Sequence, residues 1–142
     1  MPIVEGQGSI FDSGAQWLVN PVNTVGVMGA GLALEFKKRF PDVFLAYQSA
    51  CRRGEVRIGE MFLSRPVVHF PTKEHWKAPS RLEYVERGLV PLAALVKAQG
   101  VQTIAIPALG CGLGGLAWSD VKVRIEAAFQ NVDAQVYLFG PR

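Results

Sequence analysis

Ala15-Gln16-Trp17-Leu18-Val19-Asn20-Pro21-Val22-Asn23-Thr24-Val25-Gly26-Val27-Met28-Gly29-Ala30-Gly31-Leu32-Ala33 is the stretch that decides the fold of this 142-residue chain. Residues 15–20 form an apolar run of the length of a buried strand, and within residues 29–40 Leu32, Phe36 and Phe40 recur at the i+4 spacing of one helical face. Between them lies a loop punctuated by Gly26, Gly29 and Gly31. Strand, glycine loop and helix in that order are the parts of an α/β domain, and the same alternation runs along the whole chain.

Pro41 stops the first helix and can open a second at its first turn. Phe44, Tyr47 and Cys51 keep helical spacing there, and Arg53-Gly54 supplies a basic last turn and a terminating glycine. Residues 61–63 and 66–70 read as strands. Ser80-Arg81-Leu82-Glu83 has the spacing of a capping box, with the serine expected to cap the Glu83 amide. Leu82, Val85, Leu89, Leu92 and Val96 then form one stripe; Pro91 is expected to kink this helix and Gly100 to end it. Residues 102–107 read as a buried strand. Ser119 or Asp120 opens the last helix, with Val121, Ile125, Ala128 and Phe129 facing inward, and residues 135–139 close the sheet. The expectation is one α/β domain over 1–142, a three-layer α/β/α sandwich around a mixed, mostly parallel sheet.

Composition narrows the function. The chain is 49% hydrophobic and 19% charged, with mean hydropathy +0.19, too apolar for disorder. Its net charge of +3 permits a polyanionic partner without requiring one. Cys51 and Cys111 form neither a disulfide framework nor a zinc motif, and no metal site follows from the spacings. The N-terminus lacks the basic and apolar regions of an export signal, and no run approaches a membrane span. A cytoplasmic protein without membrane contact is expected.

In open, mostly parallel sheets, ligands bind beyond the carboxyl ends of the strands, so three loops carry the chemistry. The first runs from Asn20 to Gly31, and another contains Gly110-Cys111-Gly112-Leu113-Gly114-Gly115. Glycines let backbone amides approach an anion, and a following helix adds its positive end. Neither loop has the Gly-Lys-Ser/Thr of an NTPase, and the letters G-x-G-x-x-G at Gly110, Gly112 and Gly115 stand too late in the chain for a dinucleotide fingerprint. Two such loops on one sheet edge favour a diphosphate. The Asn20 and Asn23 amides can each contact a sugar hydroxyl or tie down the turn.

The remaining loop, Phe70-Pro71-Thr72-Lys73-Glu74-His75-Trp76-Lys77-Ala78-Pro79-Ser80, gathers two lysines, a histidine and a tryptophan, with Arg81 just beyond. A partly desolvated lysine can lose its proton and attack an aldehyde-like carbon. His75 and Trp76 offer flat faces to a nucleobase, and Lys77 and Arg81 can meet phosphates. A solvated basic loop is the alternative. Cys111 lacks a neighbouring base or acid, so it reads as a small turn residue, and His69 reads as a hydrogen-bonded structural histidine inside a strand.

Val19-Asn20-Pro21-Val22-Asn23-Thr24 with Gly26-Val27-Met28-Gly29-Ala30-Gly31-Leu32-Ala33, and Ile106-Pro107-Ala108-Leu109-Gly110-Cys111-Gly112-Leu113-Gly114-Gly115-Leu116, resemble the two ligand loops of macrodomains, the ADP-ribose-binding family. Residues 70–76 and 80–82 further resemble an antitoxin branch of that family that removes ADP-ribose from thymidine in DNA. The resemblance implies that Asn20, Asn23, Gly29, Ala30, Gly31, Leu32, Gly110, Cys111, Gly112, Leu113 and Gly114 hold ADP-ribose, with Asn23 at the distal ribose and the glycine-loop amides at the diphosphate. It implies that Lys73 is catalytic and that no cofactor is needed. His75, Trp76, Lys77 and Arg81 would meet single-stranded DNA, and a cognate DNA ADP-ribosyltransferase toxin would be a partner. Two positions depart from family patterns: Ser9 stands where many members carry Asp near the adenine, and Gly114 where the protein-directed branch has a catalytic Asp. The alternatives are a non-catalytic ADP-ribose reader, a hydrolase of glutamate-linked ADP-ribose and an ADP-ribose 1″-phosphate phosphatase.

Overall fold

A computed structural model describes residues 3–141; Met1, Pro2 and Arg142, part of the expected 1–142 domain, lie outside the described residues. Six strands form one sheet: β1 (Ile3–Glu5), β2 (Trp17–Val22), β3 (Phe62–Ser64), β4 (Val67–Pro71), β5 (Thr103–Ile106) and β6 (Gln135–Leu138). Their order is β1-β6-β5-β2-β4-β3, parallel throughout except for the antiparallel edge pair β3 and β4. The helices are α1 (Gly31–Arg39), α2 (Pro41–Arg52), α3 (Leu82–Ala98) and α4 (Trp118–Ala128).

The alternation of side chains along each strand divides the core into layers. Trp17 and Val19 of β2, Val68 and Phe70 of β4, and Ile104 and Ile106 of β5 pack with Val85, Leu89, Leu92 and Val96 of α3 and with Val121 and Ile125 of α4. Leu18, Val67 and Ala105, one residue out of phase, pack with Phe36 of α1 and Val43 of α2 on the other face. The three-layer α/β sandwich expected from the alternation of elements is the observed architecture. No helix among the described residues is long and apolar enough to cross a membrane.

Several boundaries differ from expectation. β2 runs two residues further than residue 20, to Val22, and the first helix begins at Gly31 rather than 29. Pro41 does open α2. The capping box is absent: α3 starts at Leu82 with Arg81 at its N-cap and no side-chain cap bond. Ser80 is instead buried, and its hydroxyl pairs with Thr72 Oγ1 at 3.3 Å, because this loop folds onto the glycine loop after β5. α3 continues as one helix through Pro91 to Ala98, and α4 begins one residue before Ser119. The edge strand β1 and a 3-10 turn over Ile10–Asp12 were not anticipated, being too short to show a period.

Candidate functional site

Because β2, β4 and β5 are adjacent and parallel, the loops that follow them emerge on one sheet edge. They enclose a cavity of about 750 Å³ whose wall includes Asn23, Val27, residues 29–33, Thr72, Lys73, Trp76, Ser80, residues 110–114 and, from the chain ends, residues 8–10 and 139–141. This is the upper part of the range of small-ligand sites.

Asn23 organises the first loop. Its Oδ1 accepts from Val25 N at 3.0 Å, Val27 N at 3.3 Å and the Tyr47 hydroxyl at 2.9 Å, while its Nδ2 donates to Val27 O at 2.8 Å. The single Tyr47 proton is shared with the Asn23 carbonyl, 2.8 Å from the phenol oxygen, and burial holds the phenol well above its usual range, fully protonated as a donor. The second Nδ2 hydrogen of Asn23 has no acceptor among the described residues. Beyond this loop α1 begins at Gly31, with Ala30 at its N-cap and no side-chain cap bond, so its first amides stay open to an anion.

Asn20 does not reach the cavity. Strand alternation puts it on the same face as Leu18, fully buried, where its Nδ2 lies 3.8 Å from Met28 Sδ and 3.4 Å from His69 Nδ1. Its Oδ1 and His69 Nε2 have no partner, so the expected hydrogen-bonded histidine is only half satisfied. His69 stacks on Tyr47 and Phe62 at centroid distances of 5.1 and 5.7 Å, and burial pushes its pKa down to about 3.

The second glycine loop is shaped by contact. Gly110 has φ +73°, and any Cβ there would press on Leu116 and Ser80. A Cβ on Gly114 would collide with Ser80 Oγ and the Gly110 carbonyl. A carboxylate in place of Gly114 therefore has no room unless this packing shifts. Cys111 lines the cavity, but burial raises its thiol above the usual range and its Sγ sits 3.5 Å from Leu109 O, leaving it a poor nucleophile.

Lys73 is on the cavity wall, half-buried, and its ammonium has no ion-pair partner among the described residues. Desolvation lowers its pKa from the usual lysine value. Of the residues assigned to nucleic acid, Trp76 reaches the cavity; His75, Lys77 and Arg81 stand outside it, exposed. Arg81 Nη1 is 3.8 Å from Glu83 and lies over the Tyr84 ring. Gly29, Ala30, Gly31, Leu32, Gly112 and Leu113 are all in the wall.

Thr72, Ser80 and Phe139 belong to the wall and escaped the sequence reading as site residues. Ser80 was hidden by the misplaced helix cap, Thr72 is brought to the wall by its pairing with Ser80, and Phe139 looked like the end of a strand. Ser9, which departs from the family pattern, also lines the wall, and its Oγ accepts from Phe11 N at 3.2 Å, capping the 3-10 turn. No cluster of three or more His, Cys, Asp or Glu able to hold a metal exists among the described residues.

Comparisons with known proteins agree with this geometry. A family model for the Macro domain matches residues 19–125. The chain is 45% identical over 146 residues to a DNA ADP-ribosyl glycohydrolase of Mycobacterium tuberculosis, covering 95% of this chain and 42% of that protein. The solved macrodomain of Mycobacterium tuberculosis DarG superposes with a TM-score of 0.97 at 43% identity, over 99% of this chain and 98% of that one. Thermosipho africanus DarTG in complex with ADP-ribose matches with a TM-score of 0.88 at 37% identity, over 94% of this chain and 40% of that one. The chain spans about two fifths of the length of the curated relatives it matches at this level. Sheet order, glycine loops and sequence likeness thus point the same way, and the chain belongs to the macrodomain family.

Proposed function

We propose that this chain binds ADP-ribose in the cavity and hydrolyses its glycosidic bond to a thymine nitrogen in DNA, with Lys73 as the catalytic residue. The observation that carries the reading is an unpaired, partly desolvated lysine on the wall of the ADP-ribose-sized cavity. The close relatives named DNA ADP-ribosyl glycohydrolases support the substrate class. The packing at Gly114 supports it further, because the carboxylate that the resemblance assigns to protein-directed relatives has no space.

Asn23 offers its free Nδ2 hydrogen to the distal ribose, and the open amides at the start of α1 and in residues 110–114 take the diphosphate. Cleavage develops positive charge on the ribose, so an ammonium beside it is unfavourable and the neutral amine is the useful form. Lys73 Nζ bonds to C1″ as the C1″–N bond breaks; the electron pair leaves with thymine, which takes a proton. Ring opening gives a Schiff base that water hydrolyses to ADP-ribose and free lysine. In an antitoxin-like role a cognate DNA ADP-ribosyltransferase supplies the substrate in the cytoplasm.

The test is release of ADP-ribose from a single-stranded oligonucleotide carrying ADP-ribosyl-thymidine, compared with a glutamate-linked conjugate. Lys73→Ala is expected to lose about 10²- to 10⁴-fold in rate. The wild-type rate should rise with pH through a midpoint below the usual lysine pKa, since deprotonation creates the attacking amine. A rate falling through that midpoint assigns Lys73 instead as the acid that protonates thymine. Binding of ADP-ribose without release from either conjugate makes the chain a reader, and faster release from glutamate makes it a protein-directed hydrolase.

A further inference from the structure

Trp76 forms part of the cavity wall yet keeps 49% of its surface exposed. The loop that carries it is fastened. Thr24 donates to the Glu74 carbonyl through both its amide, at 3.1 Å, and its hydroxyl, at 2.9 Å. Ala78 N donates to His75 O at 2.9 Å, and Lys77 N to His75 Nδ1 at 3.1 Å. The Tyr84 hydroxyl donates to Glu74 Oε1 at 2.7 Å, occupying the one carboxylate of the loop. The backbone that carries the indole is therefore fastened, while the indole remains open to solvent.

His75 stacks on Trp76 with ring centroids 5.5 Å apart and planes at 26°. Lys77 Nζ lies 4.9 Å from the Trp76 ring centroid and, like Lys73, makes no ion pair among the described residues. Leu113, 78% exposed, and Val27, 38% exposed, add apolar surface to the same cavity wall. An anchored aromatic face, a second ring behind it and an unpaired cation on a mobile stem are the parts of a single-strand stacking site, where bases stack on aromatics and cations follow the backbone.

We infer that Trp76, backed by His75, is a stacking platform for the nucleobase next to the modified one in single-stranded nucleic acid. Lys77 swings from the indole to the intervening phosphate. A base in a duplex has both faces covered by its neighbours, so this platform selects unpaired strands. The inference rests on the proposed action on ADP-ribosyl DNA and adds a subsite that ADP-ribose alone does not fill.

Equilibrium binding tests it in a Lys73→Ala background, which leaves the conjugates intact. The probes are ADP-ribose, an ADP-ribosylated single-stranded oligonucleotide and a glutamate-linked ADP-ribosyl peptide. The oligonucleotide is expected to bind about tenfold tighter than ADP-ribose. Trp76→Ala should bring that ratio close to one, and Trp76→Phe should restore most of it. Lys77→Ala should reduce the slope of log Kd against log salt by about 0.7, the share of one phosphate contact on a single strand. An affinity ratio unchanged by Trp76→Ala overturns the platform. A Trp76-dependent advantage for the peptide conjugate overturns it in favour of a protein partner. Turnover by the unsubstituted chain is scored separately, so loss of the glycohydrolase reading shows as no release whatever the binding ratio.

Discussion

His69 has no exposed surface, and the fold keeps it neutral with a pKa near 3. In the unfolded chain the imidazole titrates near 6.5, so below that pH the unfolded state takes up a proton the native state refuses. Stability contributed by neutral His69 is complete above about pH 6.5 and falls with acidification by about 1.4 kcal/mol per pH unit until the native pKa is reached. His69→Phe keeps a ring against Tyr47 and Phe62 and should flatten this acid limb in urea titrations between pH 6.5 and 4; an unchanged slope contradicts the assignment. The same neighbourhood shows what single residues conceal. Asn20 and Asn23 looked alike in sequence, two amides either side of Pro21-Val22, and their place relative to β2 separates them. Asn20 takes the strand's inward phase beside His69, and Asn23 lies beyond the strand and organises the loop. That Lys73 would stand on the cavity wall was legible, because a lysine between a strand end and a basic, aromatic loop has few structural duties.

Among the elements, the helices were read most fully, since a stripe such as Val85, Leu89, Leu92 and Val96 repeats often enough to fix its face. The start of α3 was misread because a capping box is a local signal, and Ser80 obeys a tertiary demand, packing against Gly110 and Gly114. Within α3, Gly88 looks like a helix defect until its neighbour is seen: a Cβ there would strike the ring of Phe70, which is fully buried in β4. Gly88→Ala should gain about 1 kcal/mol of helix propensity and lose about 1–3 kcal/mol to overpacking, a net destabilisation read as a lower urea midpoint. A raised midpoint means that Phe70 relaxes freely. The effect extends to function, because β4 ends at Pro71 and the loop residues Thr72 and Lys73 follow it directly.

For the whole molecule, strand alternation was sufficient to place three loops on one sheet edge, while the contributions of residues 8–10 and 139–141 depend on long-range closure of the sheet by β1 and β6. No local pattern announces such closure. The three loops are also joined to one another: Thr24 of the first bonds to Glu74 of the second, and Ser80 at the end of the second donates its amide to Gly114 of the third at 3.0 Å. Amide hydrogens at Thr24 and Ser80 are therefore expected to exchange with solvent through a shared opening. Adding ADP-ribose should slow both together, as read by deuterium uptake, whereas slowing confined to one loop would mean that the joints are too weak to couple them. With such joints intact, a ligand held by any one wall lowers the opening frequency of all three, and its residence time becomes a property of the linked loops, not of its separate contacts.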